Sequence, residues 1–208
     1  MLTGIIDYRA GNLQSVVNAL KAVGRECRMV SAPEHAEDLE ALVFPGQGSF
    51  GDSVKNLRAT GLWEYVLDWV KNDRPYLGIC LGYQLLFEES EEEPGVSGLA
   101  AIPGKVTRFP NSDLKIPHMG WNAVEPSDPA DPLWKGIPPG SHFYFVHSYY
   151  PEPAGTGQSG CTTSYGCRFH SGIVSGNVVA VQFHPEKSQQ AGLRLLENFF
   201  RRAEVGAC

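Results

Sequence analysis

At 208 residues and 42% hydrophobic content, the chain is long enough for one well-buried domain, and no charge block or long polar tract marks a second, so 1–208 is read as a single domain. A formal net charge of −6 argues against a nucleic-acid groove as the main function, and no apolar run reaches the length that crosses a membrane. The N-terminus lacks a basic stretch followed by a long apolar core, and five cysteines, an odd number without close metal-type pairing, suit a reducing compartment; a soluble cytoplasmic protein is expected, with no disulfide between the near pair Cys161 and Cys167.

In chain order, an apolar run over 2–6 reads as a strand. Leu13, Val16, Val17, Leu20 and Val23 then recur at helical spacing, with Gly24 as a natural stop. Short strands are expected over 27–30 and 41–44, a helix over 62–70 and a strand over 76–79. Strands alternating with helices imply an α/β fold, a mostly parallel central sheet flanked by helices on both faces, with ligands gathering at the carboxyl ends of the strands. Pro45, Cys80 and His184 all fall at such ends. The second half is an additional strand-rich region: strands over 143–150 and 161–165, and a hairpin from 172–174 through Ser175-Gly176-Asn177 into 178–183. A helix over 189–202 closes the chain, with Leu193, Leu196, Phe199 and Phe200 on one side.

Gly78-Ile79-Cys80-Leu81-Gly82 places a cysteine between two glycines where the apolar run 76–79 gives way to a helix-like Gln84-Leu85-Leu86-Phe87. A strand that turns at once into a helix holds its apex residue in a strained conformation, and the flanking glycines remove Cβ atoms that would collide there. A thiol at that apex meets a helix N-terminus, whose free N–H groups and dipole favour a thiolate and a developing oxyanion. A lone cysteine is more often a buried core residue; the glycine frame reverses that preference. The base expected for it is His184, after the apolar run 178–183, where Pro185 stops the strand. In an extended segment His184 and Glu186 project to one side, so a carboxylate can fix the imidazole tautomer and leave Nε2 for the thiol proton. Cys80, His184 and Glu186 form the expected triad. The acidic run 88–93 ordinarily reads as a solvated helix end, although its place beside the nucleophile leaves room for binding a substrate amine.

The elbow and the His-x-Glu pair resemble the signature of class I, triad-type glutamine amidotransferases, which hydrolyse glutamine to glutamate and ammonia on a flavodoxin-like sheet. Pro45-Gly46-Gln47-Gly48, Pro117-His118-Met119-Gly120-Trp121-Asn122, Tyr144-Phe145-Val146-His147-Ser148-Tyr149 and His184-Pro185-Glu186-Lys187-Ser188 narrow the resemblance to the glutaminase subunits of imidazole glycerol phosphate synthase, over essentially the whole chain. The resemblance implies an oxyanion hole from the backbone of Leu81, Gln47 and Gly48. It implies a glutamine site at Gly46, Gln84, Glu92, Ser148 and Tyr149, and a partner face at Trp121, Asn122, Tyr144 and Lys187. Read without it, Gln84 and Glu92 are ordinary solvated helix residues, Ser148 and Tyr149 continue a strand, and Trp121 and Tyr144 are core aromatics. Gln47 departs from the small apolar residue usual in the Pro-Gly-x-Gly loop, which bears on how readily that peptide turns.

Thioester chemistry of this kind calls for no metal and no organic cofactor. Ammonia released into water is lost as ammonium, so a sealed path to an acceptor is expected. With no second domain to supply one, the resemblance implies a heterodimer with the (β/α)₈ cyclase subunit of the synthase, in histidine biosynthesis. A class I glutaminase serving a different synthase is the alternative. A binding module without chemistry is disfavoured by the intact triad and elbow glycines.

Overall fold

The computed structural model describes every residue except 10–12, 37, 111–112, 156–158 and 207–208, with side chains at 205–206 also left out. The first half runs β1 (Thr3–Ile6), α1 (Gln14–Ala22), β2 (Cys27–Val30), β3 (Ala41–Gly46), α2 (Phe50–Ala59), α3 (Leu62–Lys71), β4 (Tyr76–Cys80) and a single helical turn, α4 (Leu81–Gln84). The second half contains β5 (Glu89–Ser90), β6 (Gly104–Arg108), β7 (His118–Pro126), β8 (Ser141–His147), β9 (Tyr149–Pro153), β10 (Gly160–Tyr165), β11 (Cys167–Ser175), β12 (Val178–Val181) and α5 (Gln189–Gly206).

Nine strands form one sheet in the order β2-β1-β3-β4-β12-β11-β10-β7-β8, and β5-β6-β9 form a smaller one. From β2 to β12 neighbours are parallel; from β12 outward they are antiparallel. The parallel half follows from its apolar runs, since strands covered on both faces have no solvent side to mark with polar residues. Their side chains alternate between two cores. Ile5, Val43, Leu77, Ile79, Val179 and Val181 pack with Val16 and Leu20 of α1 and Leu195, Leu196, Phe199 and Phe200 of α5. Ile6, Leu42, Phe44, Tyr76, Val178 and Ala180 pack with Leu57 of α2 and with Leu62, Val66 and Trp69 of α3.

Three segments differ from expectation. The helix after the elbow is one turn long, because carbonyls that would continue it are captured by a later segment: Leu99 N–H donates to Leu85 O at 2.8 Å, Ala101 N–H to Leu86 O at 2.9 Å and Ala100 N–H to Phe87 O at 3.2 Å. The single strand expected over 143–150 is broken at Ser148 into β8 and β9, which belong to different sheets. The acidic stretch forms β5 and its flanking turns rather than a helix end. Three elements went unread, β6, β7 and α2; in α2 the buried Phe50, Val54 and Leu57 recur at helical spacing, and the helix is capped by Ser49, whose side chain accepts Asp52 N–H at 3.2 Å.

Candidate active site

Cys80 ends β4 with φ 54° and ψ −103°, left-handed backbone that a non-glycine residue adopts only under constraint. Both flanking glycines are required by contact. A Cβ on Gly78 would stand 2.6 Å from the Gly82 carbonyl oxygen, and Tyr76 Oη, donating to that oxygen at 2.7 Å, ties the far side of the turn to the start of β4. The strand thus delivers the thiol to the carboxyl edge of the sheet, with Leu81 N–H next in the chain.

β12 lies beside β4, with Val181 paired to Ile79, and this pairing brings His184 to Cys80. His184 is locked by its backbone: its N–H donates to Tyr144 O at 2.9 Å, and Ser188 Oγ donates to its carbonyl at 2.6 Å while accepting Tyr144 N–H at 3.0 Å. Its Nδ1 meets Glu186 Oε1 at 2.8 Å, with both side chains buried. Glu186 reaches the ring from a 3₁₀ turn, Pro185–Lys187, and not by the strand alternation expected from the sequence. With Nδ1 engaged, Nε2 is buried without a hydrogen-bond partner and is the atom free to exchange a proton with the thiol. Burial opposes charge on His184, but Cys80 and Glu186 outweigh it and push the pKa up to about 10.

A cavity of about 430 Å³, of a size suited to a small ligand, opens over this pair. Cys80, Leu81, Gln47 and Gly48 line one side, His184, Tyr144 and Lys187 another, and Gln84, Glu92, Ser148 and Tyr149 close the rest. Gly48, at φ +106°, gives the loop after β3 its turn. Gly46 is not in the lining. It pairs with Cys80 at the end of β3, where a Cβ would meet Leu81 Cβ at 2.6 Å and Tyr8 Oη at 2.8 Å, so it seats the elbow. Gln84 is buried rather than solvated, and its Nε2 donates to Tyr149 O at 3.0 Å and to Gln182 Oε1 at 3.1 Å, leaving its own Oε1 for a ligand donor. Glu92 is half-buried, which raises its pKa, and its Oε2 accepts Phe50 N–H at 2.9 Å at the start of α2.

Trp121 and Asn122 lie on β7, away from the cavity. Trp121 is 46% exposed beside Met119 at 62%, so it is no core aromatic, and it contacts Tyr144 edge-on with ring centroids 6.2 Å apart. Lys187 Nζ stands 6.0 Å from the Tyr144 ring centroid, and these side chains make a continuous rim from cavity to open face. Sequence reasoning missed Gln182, His118 and His147. Gln182 Nε2 donates to Cys80 Sγ at 3.5 Å, and a lone amide inside the apolar run 178–183 was a signal for it.

Residues 4–203 match the profile described as glutamine amidotransferase class-I. The chain is 44% identical over 202 residues to an imidazole glycerol phosphate synthase subunit HisH of Dehalococcoides mccartyi, covering 97% of this chain and 98% of that one. It is 47% identical over 201 residues to a protein of the same name from Syntrophotalea carbinolica, covering 94% and 97%. A solved glutamine amidotransferase structure superposes with a TM-score of 0.76 at 25% identity, over 98% of this chain and 99% of that one. With its cysteine elbow, its histidine–carboxylate pair and this likeness running end to end, the chain belongs to the class-I glutamine amidotransferase family and, within it, to the HisH subunits.

Proposed function

We propose that the chain is the glutaminase subunit of imidazole glycerol phosphate synthase, a single functional domain that hydrolyses glutamine through a Cys80 thioester and hands ammonia to the cyclase subunit in histidine biosynthesis. The observation that carries this reading is the positive-φ Cys80 lining one small cavity with His184, whose ring is backed by the buried Glu186 carboxylate. Cys80 attacks the side-chain amide carbon, and the oxyanion that forms is met by Leu81 N–H and by an N–H of the Gln47–Gly48 loop. His184 gives its Nε2 proton to the departing ammonia, then draws a proton from the water that cleaves the thioester, while Glu186 holds the ring. Gln84 Oε1 and the Glu92 carboxylate take the α-ammonium group, with Ser148 and Tyr149 closing round the head group. No helix of the described residues is long and apolar enough to cross a membrane, which agrees with the cytoplasmic setting proposed here.

The test is glutamate release from glutamine by the purified chain, alone and with the cyclase subunit and its nucleotide ligand. Release that rises with that partner is expected. Release indifferent to it would keep the glutaminase and assign it to a different synthase; no release under any condition would overturn the reading.

Two expected outcomes follow from single groups. Lys187→Ala removes the cation from the rim beside Tyr144 and lowers cyclase affinity or coupled turnover by about tenfold, with far-UV circular dichroism unchanged. Unaltered assembly and unaltered coupled turnover would remove Lys187 from the interface. Glu186→Gln takes away one of the charges that hold the imidazolium. Because the raised His184 pKa keeps the imidazolium up to about pH 10 and Glu186 helps to raise it, the alkaline limb of glutamate release should move to lower pH in the variant. Turnover should also fall, by roughly 10²-fold to 10⁴-fold. An alkaline limb that stays where it was would show that Glu186 does not set the proton on His184.

A further inference from the structure

A run of hydrogen bonds crosses the molecule from the open face of β7 to the nucleophile, and its donors are fixed from one end. The Tyr149 carbonyl can only accept, so His147, whose Nδ1 lies 2.8 Å from it, carries its proton there. A neutral ring has one such proton, so His147 Nε2 accepts, and His118 Nδ1, 3.0 Å away, must donate. His118 Nε2 is then an acceptor in turn, and the Asn122 amide supplies it at 3.2 Å. Both rings are buried, which pushes the pKa down to about 4 for His118 and about 3 for His147 and keeps each neutral at physiological pH. Neither ring can turn to relieve a mismatch. His118 is stacked between Tyr165 and Phe145, with centroids 4.0 and 4.8 Å away, and His147 packs against Phe109 and Phe169.

Beyond Tyr149 the run continues into the site, through the Gln84 amide on the same carbonyl, then Gln182, then Cys80 Sγ. At the other end, the remaining Asn122 amide proton goes to Ser164 O at 3.0 Å, next to exposed Trp121. We propose that His118 and His147 are positioning residues, a pair of imidazoles of fixed tautomer through which the Asn122 amide on the exposed sheet face sets the Tyr149 carbonyl and the Gln84 side chain at the glutamine cavity. This deepens the glutaminase reading and rests on it. If an acceptor replaces the Asn122 donor, as in Asn122→Asp, it draws the His118 proton from Nδ1 to Nε2, the His147 proton moves from Nδ1 to Nε2 to supply the emptied His118 Nδ1, and two acceptors, His147 Nδ1 and Tyr149 O, are left facing each other. The carbonyl is pushed off its position and Gln84 loses the partner that orients it.

The experiment uses the complex with the cyclase subunit and three variants, His118→Leu, His118→Asn and Asn122→Asp. Asn at 118 keeps a donor where Nδ1 stood, whereas Leu keeps none. The readouts are KM and kcat for glutamine, cyclase turnover driven by added ammonium salt, and ¹⁵N spectra of the histidine rings. In the native complex both rings should be neutral and protonated on Nδ1. His118→Leu should raise the glutamine KM about tenfold, the size of one lost buried hydrogen bond, while ammonium-driven turnover stays the same. His118→Asn should return KM to within about threefold of native, and Asn122→Asp should move the His147 ring signals, although that ring does not touch residue 122. An unchanged KM in His118→Leu, an Asn variant no better than Leu, or His147 protonated on Nε2 in the native complex would each overturn the relay. A native complex that releases no glutamate would sink the glutaminase reading instead, and the ring spectra would still decide the tautomers.

Discussion

Cys80→Ala should lower glutamate release by about four to six orders of magnitude while leaving the chain folded and able to bind its partner. The loss is that large because nothing near the cavity can replace the thiol. The only other fully buried cysteine among the described residues, Cys161, is pushed up to about 12 by burial, and Ser171 Oγ donates to its sulfur at 3.5 Å. It sits on β10 and does not line the site. Alanine keeps the backbone strain of the elbow as it stands, so the folded state loses little more than the sulfur's contacts. The proton on His184 should respond as well. With the sulfur gone, burial is opposed by Glu186 alone, and the His184 pKa should fall from about 10. The check is glutamate release beside cyclase turnover driven by added ammonium salt. Full loss of the first with retention of the second locates the nucleophile, whereas residual release above about one part in a hundred would place it elsewhere.

Much of this centre was legible in the chain because its constraints are local. A cysteine that must hold φ 54° at a strand-to-helix turn needs glycines around it, and Gly78 and Gly82 stand in the sequence for anyone to see. The run 178–183 ending in His184-Pro185 was equally plain, and the parallel half of the sheet followed from its apolar strands. Glu186 does meet His184, but by a route other than the one expected, since a proline-led 3₁₀ turn and not an extended strand brings the carboxylate to Nδ1. What stayed hidden depends on the order of strands. His118 and His147 meet only because β7 and β8 pair in a register that sets residue 118 opposite 147, and no spacing along the chain encodes that. Glu92 shows the same limit. Read as part of a solvated run, it is in fact the acceptor for the first N–H of a helix forty-two residues earlier in the chain.

Gly82→Ala should be severely damaging to both stability and activity. The added Cβ would stand 1.9 Å from the Phe44 carbonyl oxygen, 2.9 Å from its carbon and 3.3 Å from Phe44 Cβ. A flexible side chain could swing aside at such a distance, but this is the backbone of β3, which is hydrogen-bonded to β1 on one edge and β4 on the other and buried along its whole length. The strand cannot yield, so α4 must. Moving it strains the bond from Tyr76 Oη to the Gly82 carbonyl, lifts Leu81 from its contact with Gly46, and carries Cys80 away from His184. The expected destabilisation is about 3 kcal/mol or more, the upper range for overpacking a filled interior. Molecules that remain folded should release glutamate at least about a hundredfold more slowly, because a shift on the order of 1 Å is enough to misalign the thiol. Gly24→Ala is the matched control. Unlike Gly82→Ala, it places a Cβ on left-handed backbone, at φ +72°, but meets nothing within 4 Å, and it should cost only about 1 kcal/mol. Denaturation midpoints of the two variants separate contact from backbone strain: a Gly82→Ala protein no less stable than Gly24→Ala would mean that the elbow is not wedged against β3, and that the position of Cys80 is set by something other than the fit of α4 beneath it.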